Sequence, residues 1–136
     1  MTEKPPGEKP DVEVLRSNAV LAANLPFPDG VRVGNFVILS GQIGIKPGTL
    51  ELASGGIEPE TRQMFENLRL ILEAHGMKLS DIVRVQVMLA DMAEWPRFNA
   101  AYLEFFPDAA PARCAFGATG LAFGARVEVE AFAVRR

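Results

Sequence analysis

The alternation of apolar and polar side chains is sharpest near the end of the chain. From Val127 to Ala133 it sets Val127, Val129, Ala131 and Ala133 on one face of an extended segment and Glu128, Glu130 and Phe132 on the other. Asp81–Ala90 (DIVRVQVMLA) shows the same period, with Val83, Val85, Val87 and Leu89 on one side. Asn35–Gly44 (NFVILSGQIG) is rich in β-branched and aromatic residues and reads as a central strand. Gly30 and Gly34 bracket a shorter strand, Val31–Val33, and Asp11–Arg16 (DVEVLR) alternates long enough for an edge strand. PARCAF (111–116) adds one more strand, separated from the last by the glycine-rich bend GATGLAFG (117–124).

Two segments change period. Between Pro59 and His75, Met64, Phe65, Leu68, Ile71, Leu72 and His75 recur at helical spacing, with Pro59 suited to the first turn and Gly76 to the stop. A second helix is expected over Glu94–Phe106, with Phe98, Ala101, Tyr102 and Phe105 on its apolar side and Trp95 and Tyr102 as packing residues. Residues 1–10 are polar and proline-rich and are expected to form a loose tail ahead of a single domain over 11–136. Ser17–Asp29, with Pro26 and Pro28, is expected to run extended over the surface, and Ile45–Gly56 to turn. The order of elements implies an α+β fold in which two helices cover one face of a mixed sheet. The other face stays bare and fairly apolar, which implies self-association.

Composition narrows the function classes. A chain of 136 residues, 49% hydrophobic, buries a core without disulfides or metal. Its net charge of −3 and the absence of a basic stripe give no electrostatic case for nucleic acid. One cysteine, no apolar leader and no run of membrane-spanning length point to the cytoplasm. One histidine and one cysteine do not supply a structural zinc site, and GATGLAFG lacks the lysine of a phosphate loop, so no metal or cofactor is expected.

The chemistry-bearing residues that remain are few. Arg113 keeps its charge and needs an anion, either a structural carboxylate or a small carboxylate ligand. If the strands bring them together, Arg113 and a carboxylate from Glu128 or Glu130 face each other; otherwise the two glutamates form a solvated face. Gly41 permits a bulge, a plain bend or close approach of a ligand. Asn99 either faces solvent or touches ligand. His75 complements its helix dipole or meets solvent. Cys114, beside Arg113, is either a small buried residue or a reactive thiol.

The segments VRVGNFVILSGQIG (31–44), TRQMFENLRLILEAHG (61–76), DIVRVQVMLADM (81–92), FNAAYLEFF (98–106), PARCAF (111–116) and RVEVEAFAV (126–134) occur in the order found in the RidA/YjgF family, which the chain resembles from about residue 30 onward. The resemblance implies a chorismate-mutase-like fold and a homotrimer with sites in clefts between subunits. It implies hydrolysis of reactive enamines and imines, such as 2-aminoacrylate, to 2-oxo acids and ammonia. By position, Arg113 resembles the arginine that grips the substrate carboxylate and Glu128 the glutamate that positions water and handles protons. Gly41 and Asn99 match ligand-contacting positions. Phe27 stands where the family usually has a tyrosine, and Ala115 offers only its backbone because the cysteine is displaced to position 114. Leu121-Ala122 replaces a Leu-Pro, and Gly117 a common glutamate. A ligand-sensing role through the same arginine is the alternative to catalysis. A ribonuclease role, attached to some members, runs against the acidic pI.

Overall fold

The computed structural model describes residues 7, 11–21 and 24–136. Apart from Gly7, the expected N-terminal tail lies outside them. Seven strands form one mixed sheet: β1 (Val12–Leu15), β2 (Gly30–Val33), β3 (Phe36–Leu39), β4 (Gln42–Ile43), β5 (Ile82–Leu89), β6 (Ala112–Gly117) and β7 (Val127–Val134). The order is β1-β2-β3-β7-β5-β6, with β4 paired to the first half of β7. Only β5 and β6 run parallel. Helices α1 (Ile57–Ala74) and α2 (Trp95–Phe105) lie against one face. The expected α+β architecture is therefore present.

Burial follows the alternation. Val127, Val129, Ala131 and Ala133 are all buried, beside Val85, Val87 and Leu89 of β5 and Val37 and Leu39 of β3. Against them α1 packs Ile57, Met64, Phe65, Leu68, Ile71 and Leu72. Phe65 is the hub, with its ring 5.4–6.4 Å from those of Phe98, Tyr102, Phe105 and Phe106. Pairs at these spacings contribute beyond their buried area. At its end, α1 closes in a Schellman motif: Met77 N–H donates to Leu72 O (2.8 Å), Gly76 N–H to Glu73 O (3.1 Å), and Gly76 takes φ +74°.

Several local expectations need correction. Asn35–Gly44 is two strands, because the chain breaks its pairing at Ser40-Gly41 before rejoining β7. A register shift in β5 between Ile82 and Arg84 sends Ile82 into the core and leaves Val83 exposed. Ser17–Asp29 turns instead of running extended, and it buries Val20 and Asp29. His75 meets neither solvent nor only its dipole: its Nε2 lies 2.9 Å from Asp29 Oδ2, which also accepts from Ser17 Oγ at 2.5 Å. This cluster ties the 17–29 segment to the end of α1. Trp95 is 41% exposed and is not a core residue.

The second face of the sheet has no cover among the described residues. Its β1 end is apolar, with Val12, Val14, Phe36 and Ile38 exposed and Phe132 edge-on to Phe36 at 5.7 Å. Its other end is mixed and carries Gln86, Glu128, Glu130 and Cys114 together with Met88 and the exposed Phe116. Cys114 is exposed, and the guanidinium beside it is that of Arg84, Nη2 to Sγ 3.7 Å, not that of Arg113. Strand alternation sends neighbouring side chains to opposite faces, so Cys114 and Arg113 never meet.

Candidate active site

Arg113 sits on β6 in register with Val85, which is in turn paired with Ala131. It therefore points to the helix face. There its guanidinium lies over aromatic rings of α2: Tyr102 at 4.8 Å, Phe98 at 5.7 Å and Trp95 at 5.9 Å. Stacking of this kind holds a cation in place at about 0.5–2 kcal/mol per contact. Among the described residues no carboxylate pairs with it and no acceptor takes its hydrogen bonds. The adjoining hollow, about 370 Å³, is lined by Asn99, Tyr102, Leu103, Ala109, Pro111 and Arg113. Asn99 Oδ1 is buried there and accepts no hydrogen bond among the described residues. Burial pushes the Tyr102 hydroxyl pKa up, with the Arg113 charge opposing it. A fixed, unpaired fork is suited to a small planar anion, and the Asn99 oxygen beside it is an acceptor that would take a donor N–H or O–H.

Glu128 is on the opposite, bare face, since it alternates with buried Val127 and Val129. The sequence option of Arg113 and Glu128 facing each other across strands is thus wrong within one chain. Glu128 is in register with Ile43 and Met88, next to the break at Ser40-Gly41. A β-carbon on Gly41 would collide with Glu128 Oε2, so only glycine lets the carboxylate lie against this backbone. Glu128, Gly41 and Phe27 share a second hollow of about 390 Å³, with walls from Leu21, Leu25, Ile43, Leu50 and Phe123. Burial, and then the charge of Glu130, raise the Glu128 pKa above its ordinary 4.5. A carboxylate in that state is poised to exchange protons.

Phe123 is held at φ +58°, ψ 20°, a left-handed conformation that costs a bulky residue about 1–3 kcal/mol. The bend that carries it is anchored immediately behind. Arg126 N–H donates to Glu60 Oε1 (2.9 Å), and the Arg126 guanidinium pairs with buried Glu94 (2.9 Å). Ala115 lines neither hollow. Its side chain packs on the core, while β6 is the sheet edge. Ala118 N–H donates to Leu89 O, and that alternation turns the Arg113 and Ala115 amides toward the open edge.

The structure thus sorts the six sequence candidates into Arg113 and Asn99 in one hollow, Phe27, Gly41 and Glu128 in another, and Ala115 at the edge beside the first. Sequence reasoning took Tyr102 and Trp95 for packing residues, although the i, i+3, i+4, i+7 spacing of Trp95, Phe98, Asn99 and Tyr102 marks one helix face. Nothing periodic announces Leu50 or Phe123. Among the described residues no three acidic, histidine or cysteine side chains converge to hold a metal ion, and no helix is long and apolar enough to cross a membrane.

Sheet order, helices on one face and two separated hollows define a small mixed-sheet α+β protein of a known architecture. The chain belongs to the Endoribonuclease L-PSP family, the RidA/YjgF family of the sequence resemblance: the family model matches residues 17–135. It is 39% identical over 110 residues to a RutC family protein of Pyrococcus horikoshii, covering 81% of this chain and 87% of the relative. It is 40% identical over 109 residues to a protein of Dermatophagoides farinae named 2-iminobutanoate/2-iminopropanoate deaminase, covering 80% and 85%. The crystal structure of the E. coli YjgF gene product superposes with a TM-score of 0.83 at 35% identity, covering 91% of this chain and 99% of that one.

Proposed function

We propose that the protein is a cofactor-free deaminase that hydrolyses 2-imino acids, and their enamine tautomers, to 2-oxo acids and ammonia. The site forms between copies of the chain in a homotrimer, with the Arg113–Asn99 hollow of one against the Phe27–Gly41–Glu128 hollow of the next. The observation that carries this reading is the Arg113 guanidinium, held on aromatic rings without an anionic partner among the described residues. Relatives named as imine deaminases support the choice of reaction. The cytoplasm, where such imines form, is in keeping with a single cysteine.

The chemistry needs only what the two hollows hold. Arg113 takes the substrate carboxylate in its fork. An enamine first becomes the imine by moving a proton from nitrogen to C3. Water then adds to C2 of the imine while Glu128 removes a proton from the water and returns it to nitrogen, giving a carbinolamine. Glu128 then takes the hydroxyl proton and passes it to the amine, the C2–N bond breaks, ammonia leaves and the 2-oxo acid remains. The proton balance closes on Glu128, which ends as it began.

Glu128→Gln separates catalysis from binding, because it keeps size and hydrogen bonding but loses proton transfer. We expect imine generated in situ to be hydrolysed on the order of 100-fold more slowly by the variant, with 2-oxobutyrate binding kept. Wild-type protein that hydrolyses imine no faster than buffer, yet binds 2-oxobutyrate, would make this a ligand-sensing protein instead.

A further inference from the structure

Resting on that deaminase reading, we infer that the substrates are imino acids with bulky apolar side chains, of the leucine and phenylalanine type, selected by Phe123 and Leu50 at the rim of the Glu128 hollow. An imine whose carboxylate is held by Arg113 and whose C2 reaches Glu128 lays its side chain against the walls around Glu128. Those walls are Leu21, Leu25, Phe27, Ile43, Leu50 and Phe123. Ser40 and Glu128 are the only polar side chains lining the hollow among the described residues. Among the described residues of this hollow, a polar or charged substrate side chain has only Ser40, beside the reacting carboxylate, to replace its water.

Three large apolar side chains stand exposed around this one carboxylate: Phe123 at 60%, Leu50 at 47% and Phe27 at 39%. Leu50 comes from the turn closed by the Ile45–Leu52 bridge, and Phe123 from the opposing bend. Phe123 also occupies a left-handed position, one residue before Gly124, where glycine would sit without strain. A strained aromatic at the mouth of a hollow, on a bend anchored through Arg126, is a wall held in place for contact. Within one copy this hollow measures about 390 Å³, more than a side chain of four to seven carbons occupies.

The test compares imines made in situ by an amino-acid oxidase from alanine, leucine and phenylalanine. One buried methylene group discriminates by about 10–200-fold, so kcat/KM for the leucine imine, with three more carbons, should exceed that for the alanine imine by at least about tenfold. Phe123→Ala and Leu50→Ala should each lower this ratio, and Phe123→Leu should retain most of it. Calorimetry with wild-type protein gives a check that needs no variant: 4-methyl-2-oxopentanoate should bind about tenfold more tightly than pyruvate. A wild-type ratio near one, or a ratio unchanged in the alanine variants, overturns the inference and leaves the deaminase standing. Alanine variants that lose their assembly while wild type shows no preference would identify the rim as a subunit contact, which also overturns it. Hydrolysis of none of the three imines overturns the deaminase reading itself.

Discussion

Arg113 and Glu128 make opposite demands on their surroundings. The arginine needs nothing from its own chain but shape, and the Tyr102 ring supplies that. Arg113→Ala should weaken 2-oxobutyrate binding by about 1.5–3 kcal/mol, roughly 10- to 150-fold in Kd, as measured by calorimetry. Arg113→Lys should recover little of it, because a point charge does not reproduce the fork. In the proposed reaction Glu128 must be ionised to take a proton from water, and burial raises its pKa above that of an ordinary glutamate. The sign follows directly: kcat/KM should rise with pH through a value above 4.5, and low pH should inactivate. Removing the neighbouring charge with Glu130→Gln should move that limb down toward 4.5, because Glu130 is the second cause of the shift. A limb that stays in place in Glu130→Gln would mean another group controls the rate.

At the scale of elements, two glycines three residues apart do different work. A methyl on Gly41 meets only the end of the Glu128 side chain, which can swing away. A methyl on Gly44 collides with the Glu60 backbone in the first turn of α1, which cannot. Gly41→Ala should therefore lose most imine hydrolysis with a melting temperature near wild type. Gly44→Ala should unfold several degrees earlier, since a loss of about 1 kcal/mol shifts a domain of this size by roughly 2–8 °C. Thermal melts and activity on the same samples check both. The elements were legible in the sequence wherever one side of them is buried, as in β7 and α1. Val83 misled because counting by twos assumes an unbroken register, and the shift after Ile82 is set by pairing with β7. Parity within β6 and within β7 was readable, but whether Arg113 shares a face with Glu128 depends on how both strands register with β5. The bond of His75 to Asp29 spans 46 residues, a separation no local pattern reports. Arg113, Gly41, Asn99 and Glu128 stand out by residue type and pattern and take their roles from family resemblance, which alone marks Phe27, whereas the walls of their hollows lie in aperiodic turns.

For the whole molecule, Arg113 and Glu128 lie on opposite faces of the sheet, and under the proposed trimer a single copy holds two half sites. The bare sheet face, apolar at its β1 end, is the surface left for assembly. Mixing the two inactive variants Arg113→Ala and Glu128→Gln, with unfolding and refolding together, should restore about a quarter of wild-type activity. Random assembly puts both kinds of subunit in about three-quarters of trimers, and each mixed trimer has one intact junction in three. Recovery of none would place both groups in the same subunit's site. The same division has a genetic side. In the proposed trimer each copy lends its arginine to one neighbour and its glutamate to the other, so in a diploid host an allele that damages either half is partly silent in a heterozygote. An allele that damages both halves spoils junctions in both directions. It leaves only about a quarter of the sites when normal and defective copies are equally abundant. Inheritance of such a defect would be dosage-sensitive even though the normal allele makes a normal protein.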